Sequence, residues 1–114
     1  MDELTVREFF SDGRAVIESV GEITVLNVGP LRHAVAKLQN CDTDAVLDLR
    51  GISYIDSAGI EQLVAAYQSL RKRGQKLIVV VNPGTQPEHV LEAVALHTFA
   101  TLARDASEYG LGGT

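Results

Sequence analysis

Residues Ala45–Leu63, AVLDLRGISYIDSAGIEQL, hold a strand, a junction and the start of a helix, and reading them settles the class of fold. In Ala45–Arg50, Leu47 and Leu49 share one face while Asp48 and Arg50 share the other, the period of two of a strand with one partly wet face. Gly51-Ile52-Ser53-Tyr54-Ile55-Asp56 reads as a loop. From Ser57 to Arg73, Ile60, Leu63, Val64, Tyr67 and Leu70 recur at helical spacing. Arg71, Lys72 and Arg73 place positive charge where the helix dipole is negative, and Gly74 is a C-terminal stop. At the junction, Ser57 has non-helical residues behind it and an amphipathic helix ahead, the position of an N-cap whose hydroxyl meets free backbone N–H groups. The same geometry suits phosphorylation, because an added charge of about −1.5 to −2 meets a favourable dipole there.

Nearer the N-terminus, Leu4–Phe10 and Arg14–Val20 are strand-like and flank the turn signal Ser11-Asp12-Gly13, which predicts a hairpin. Beyond Gly21-Glu22-Ile23-Thr24, the residues Leu31, Ala34, Val35 and Leu38 follow Pro30 at helical spacing, and this first helix ends near Asn40. Leu77–Val81 is continuously apolar, as in an interior strand covered on both faces. Asn82-Pro83-Gly84 breaks it, and Thr85-Gln86-Pro87-Glu88 has capping-box spacing, with Thr85 and Glu88 expected to satisfy each other's backbone N–H groups. Val90, Leu91 and Val94 give the helix that follows its apolar side, and Thr98–Leu102 reads as a last short strand. A hairpin followed by alternating helices and strands predicts an α/β (α+β mixed) fold: a mixed sheet of about four or five strands with about four helices.

The 114 residues carry Lys+Arg 10 against Asp+Glu 15, a formal charge of -5, and 46% hydrophobic residues. That supports one core and argues against disorder and against nucleic-acid binding, which depends on cations neutralising phosphates. One domain is expected over residues 1–110, with 111–114 as a flexible tail. The lone Cys41 forms no internal disulfide, the start MDELTVREFF is acidic where a secretory signal is basic, and no apolar run is long enough to span a bilayer. These features predict a cytoplasmic protein without membrane insertion. Cys41 reads as a surface or half-buried thiol, and His33, His89 and His97 have no ligand spacing, so neither metal nor cofactor is expected. Arg71-Lys72-Arg73 reads as a solvated helix end; its other reading is a contact for an acidic partner surface.

The stretch Ala45–Leu63 resembles the signature of the anti-sigma factor antagonist family, the STAS domain. Gly21-Glu22-Ile23 resembles that family's Gly-Glu-aliphatic step at the end of its second strand, and NPGTQPEHVLEAVAL resembles its third helix. The resemblance implies a STAS-like fold and a binding module that sequesters an anti-sigma factor of the serine kinase type, releasing a sigma factor. It implies that phosphorylation of Ser57 by that partner switches the module off, with Asp56 orienting the hydroxyl. The base and ATP would belong to the partner, so the chain would not be an enzyme. Asp56, Ser57, Ala58, Gly59, Glu22 and Thr24 are the partner-binding residues it implies, and it leaves a homodimer open. In family members phosphorylated this way an aspartate commonly follows the Gly-Glu-aliphatic step; here Thr24 stands there and supplies no negative charge.

Three rival readings remain. A phosphorylation-independent adaptor of the same fold, such as a subunit of an ABC-type lipid transporter, would have no need of an acid at Thr24. A phosphoaspartate receiver would need an acidic cluster at its strand ends, and an enzyme would need a paired nucleophile and base; neither is visible in the sequence.

Overall fold

The structure, a computed structural model, describes residues 3–112. Strands β1 (Thr5–Ser11) and β2 (Arg14–Ile23) form an antiparallel hairpin. Its turn is Asp12-Gly13, with φ of 55° and 76°, the left-handed pair that a two-residue turn requires. The chain continues through α1 (Gly29–Ala36), β3 (Ala45–Ile55), α2 (Ser57–Arg71), β4 (Leu77–Val80), α3 (Gln86–Ala93) and β5 (Thr101–Ala103). Single 3-10 turns lie at Lys37–Asn40, Leu96–Thr98 and Ala106–Tyr109. The sheet order is β1-β2-β3-β4-β5, and every pair after the first is parallel. This is the expected mixed α/β fold; among the described residues it has three α-helices and three short 3-10 turns, where about four helices were expected.

Each parallel neighbour is reached by a crossover, and crossovers of one hand between successive neighbours put their helices on the same side of the sheet. That side holds the main core. Leu47, Leu49, Leu77 and Val79 from the strands meet Leu31 and Val35 of α1, Leu63, Ala66 and Leu70 of α2, and Leu91 of α3. Full burial of each leucine contributes about 2 kcal/mol. On the opposite face, Val16, Val46, Ile78, Val80 and Ala103 are covered by Ala106 and Leu111 of the C-terminal segment. Leu77–Val80 is therefore apolar on both faces, as its composition predicts.

The last segment is packed as well. The Ser11 hydroxyl donates to the Gly110 carbonyl (3.1 Å), and Arg50 Nη1 donates to the Gly112 carbonyl (2.7 Å). Packing thus reaches two residues past the boundary expected at 110; residues 113 and 114 of the expected tail lie outside the described residues. Asp48, on the face expected to be partly wet, is only 3% exposed. Arg50 closes over it with a forked pair, Nε to Oδ1 at 2.9 Å and Nη2 to Oδ2 at 2.8 Å. Hydrogen bonding to Asp48 holds the Arg50 guanidinium above its usual pKa, and the forked ion pair offsets the charge of the buried carboxylate.

Three local expectations need correcting. Gly51–Ile55 is strand, because after a register shift β2 continues to pair with it, Val20 with Gly51 and Ile23 with Ile55. Gly51 serves this close approach: a Cβ there would stand 2.8 Å from Val20 Cγ2. The last strand begins at Thr101, since Thr98 closes a 3-10 turn by donating its hydroxyl to the Ala95 carbonyl. In α3, Thr85 accepts from the Glu88 N–H as a cap should. The Glu88 carboxylate, however, takes the Gly84 N–H (2.8 Å) rather than that of Thr85, and its other oxygen is held by Arg104.

Candidate functional site

The junction between β3 and α2 meets the loop that leaves β2. Because β2 and β3 are parallel neighbours ending in register at Ile23 and Ile55, the next residues of both chains emerge side by side. Asp56 joins them. Its N–H donates to the Ile23 carbonyl (3.1 Å), Oδ1 accepts from Ala58 N–H (2.8 Å) and Oδ2 accepts from Val25 N–H (3.1 Å). Its backbone is extended, with φ −108° and ψ −170°, as an N-cap requires.

The cap of α2 is therefore Asp56, which corrects the expectation of Ser57. Both residue types cap well; what decides is that only a carboxylate can hold Ala58 and Val25 together. Ser57 becomes the first helical residue, and its hydroxyl forms no hydrogen bond among the described residues. It is exposed, at the positive end of a 15-residue helix.

The other anticipated residues differ in what they can offer. Ala58 is 8% exposed and Gly59 is buried, so they act from beneath the surface. An added Cβ on Gly59 would overlap Ile55 Cγ1 and stand 2.8 Å from Ile23 Cγ2, so glycine is what lets the first turn lie flat on β2 and β3. Glu22 is half-buried, and its carbonyl accepts from Asn27 Nδ2 (2.9 Å). Thr24 is also half-buried, and its hydroxyl is used inside its own loop: it reaches Asn27 Oδ1 (3.2 Å) and accepts from Leu26 N–H (3.3 Å). The structure thus brings Asp56, Ser57 and Thr24 to one end of the sheet, with Thr24 turned into the loop.

Sequence reasoning missed four residues here. Asn27 ties the loop by accepting from Thr24 N–H (2.8 Å) through Oδ1; an asparagine four residues past a strand was its only signal. The loop so fixed exposes two aliphatic side chains to water, Val25 (69%) and Leu26 (85%). Gln86 closes the end of β3 where β4 has already stopped, its side-chain amide exchanging two 2.9 Å bonds with the backbone of Ile55. The site is a two-armed surface tied together by hydrogen bonds: an apolar loop beside a free hydroxyl at a helix start. It has no paired base, and among the described residues no three His, Cys, Asp or Glu side chains form a metal cluster. Nor, among those residues, is any helix long and apolar enough to cross a membrane.

The STAS domain family model matches residues 9–108. Among solved structures, an anti-sigma factor antagonist from Mycobacterium paratuberculosis superposes with TM-score 0.82 at 21% identity, over 94% of this chain and 91% of that one. A candidate anti-sigma factor antagonist from Thermotoga maritima gives 0.78 at 19%, covering 90% and 89%. The Bacillus cell fate determinant SpoIIAA in its phosphorylated form gives 0.67 at 17%, covering 91% and 96%. At these identities the structural likeness is one of fold.

Proposed function

The chain belongs to the STAS domain family, and from that membership and the geometry of its junction we propose that it is an anti-sigma factor antagonist switched by phosphorylation of Ser57. The observation that carries this reading is the unbonded, exposed Ser57 hydroxyl at the start of α2, beside a loop that presents Val25 and Leu26. In the neutral form the small hydroxyl and the two aliphatic residues allow a protein surface to close over the junction and exclude water. The partner is an anti-sigma factor of the serine kinase type, which supplies base and ATP; the chain contributes only the acceptor. That the SpoIIAA structure is of a phosphorylated protein with this fold supports placing a phosphate on such a scaffold.

Phosphorylation acts on this surface through charge. The dianion would sit at a favourable helix dipole but next to the Asp56 carboxylate, whose two oxygens are already committed to Ala58 and Val25. Covering it with a partner means removing both charges from water. A loss of about 3 kcal/mol weakens binding more than 100-fold without refolding the chain.

A second reading, a phosphorylation-independent adaptor in an assembly such as an ABC-type lipid transporter, draws on Thr24. Its side chain carries no charge and is turned into its own loop. A pull-down from cell extract with wild-type and Ser57→Asp baits separates the two. Capture of an anti-sigma kinase by the wild type only, with phosphate on the Asp56–Gly59 peptide, is the expected result. Capture of a transporter ATPase by both baits, with no phosphate, would replace the proposal with the adaptor.

A further inference from the structure

Ten lysines and arginines stand among 15 acids, enough carboxylates for every cation to have one. Six do: Arg7, Arg14, Lys37, Arg50, Arg73 and Arg104 are ion-paired. Of the four that form no ion pair among the described residues, three (Arg71, Lys72 and Lys76) lie at one end of the molecule. There a groove of about 480 Å³ opens between the last turn of α2 and the starting ends of β4 and β5. Arg71 and Lys76 line it, His97 joins them from the turn after α3, and none of its lining residues is an acid. A carboxylate does stand beside it: Asp44 Oδ1 accepts the Lys76 backbone N–H at 2.8 Å. The Lys76 ammonium itself forms no ion pair among the described residues.

Arg71 and Lys72 have a plain structural duty, to offset the negative end of the α2 dipole. Lys76 and His97 have no such duty, since neither lies on α2. Three elements thus bring donors into one concavity whose volume is within the usual range for small-molecule sites, roughly 300–1,000 Å³. We infer that this groove binds a small polyanion carrying phosphate groups, recognised through Arg71, Lys76 and His97. It is a different site from the Ser57 junction: the 15 residues of α2 separate the two by about 20 Å. The inference stands whether or not Ser57 is phosphorylated.

Amide chemical-shift titration of the full chain tests it, with sodium tripolyphosphate, ATP and adenosine as probes at low salt. Tripolyphosphate and ATP are expected to move the amides of Gly74, Lys76 and Thr98 with affinities within a few-fold of each other, while adenosine moves none. Each of Lys76→Gln and Arg71→Gln should weaken both phosphates by roughly five- to tenfold through loss of a charge-assisted contact, and Lys37→Gln should leave them unchanged. Raising the salt to 0.5 M should weaken binding further by screening. Three results would overturn the inference: no shift with tripolyphosphate, shifts centred on other residues, or binding of ATP more than tenfold tighter than of tripolyphosphate. The last would place recognition in the ring instead of the phosphates. All three substitutions are on exposed side chains, and the same spectra report whether each variant is folded.

Discussion

Replacing Asp56 separates its two tasks. In Asp56→Ala, α2 loses the cap on Ala58 N–H and the loop loses the tie to Val25 N–H. A lost N-cap costs about 1 kcal/mol. The second bond lies at the surface, where water can replace the carboxylate, and its loss costs about 0.5 kcal/mol. The sum, about 1.5 kcal/mol, lowers Tm by roughly 6 °C for a chain of this size. Asp56→Asn retains an oxygen for Ala58 but turns its NH2 toward the Val25 N–H, donor against donor. It should therefore lose only the loop tie, about 0.5 kcal/mol or roughly 2 °C. Hydrogen exchange assigns the losses to places. The Val25 amide should exchange two- to threefold faster in both variants, whereas Ala58 should lose protection only in Asp56→Ala. Equal destabilisation by both substitutions, or unchanged exchange at Val25 in both, would refute a carboxylate that bridges loop and helix.

Other consequences are equally specific. Gly59→Ala gains helix propensity but crowds Ile55 and Ile23, both buried, and overpacking costs about 1–3 kcal/mol; a net fall in Tm of several degrees is expected by thermal denaturation. The Ser19 hydroxyl is buried with no hydrogen-bond partner among the described residues, so Ser19→Ala should raise stability by about 1 kcal/mol in urea titrations. The Gly84 N–H and then Arg104 hold the Glu88 carboxyl below its ordinary value of 4.5. The stability this gives is present above the unfolded value and is lost as pH falls through the folded one. The Tm gap between wild type and Glu88→Gln should therefore be widest at neutral pH and close in acid, and a gap independent of pH would refute the assignment.

Much of this fold is legible in the sequence because burial is written as periodicity. Leu47 and Leu49, and the stripe from Ile60 to Leu70, mark the surfaces that meet in the main core, whereas Asp48 on the opposite face of β3 reads as wet and is buried. Local turn chemistry places the Asp12-Gly13 hairpin equally well. What is not legible depends on neighbours distant in sequence. Gly51 looks like the start of a loop until β2 is seen to pair beyond it, and Leu111 looks like tail until the sheet face it covers is known. The cap shows the limit most clearly: Asp56 and Ser57 are equally good local candidates, and the choice is made by Val25, 31 residues away. Val25 and Leu26, for their part, read as ordinary apolar residues; only the hydrogen bonds that fix their loop reveal that they face water.

The affinity of the captured anti-sigma partner for three forms of this chain tests the switch most directly: unmodified, phosphorylated at Ser57, and Ser57→Ala. Titration calorimetry should find the unmodified chain and Ser57→Ala within a few-fold of each other and the phosphorylated form more than 100-fold weaker, a difference of about 3 kcal/mol. Equal affinity of the phosphorylated and unmodified chains would contradict the account.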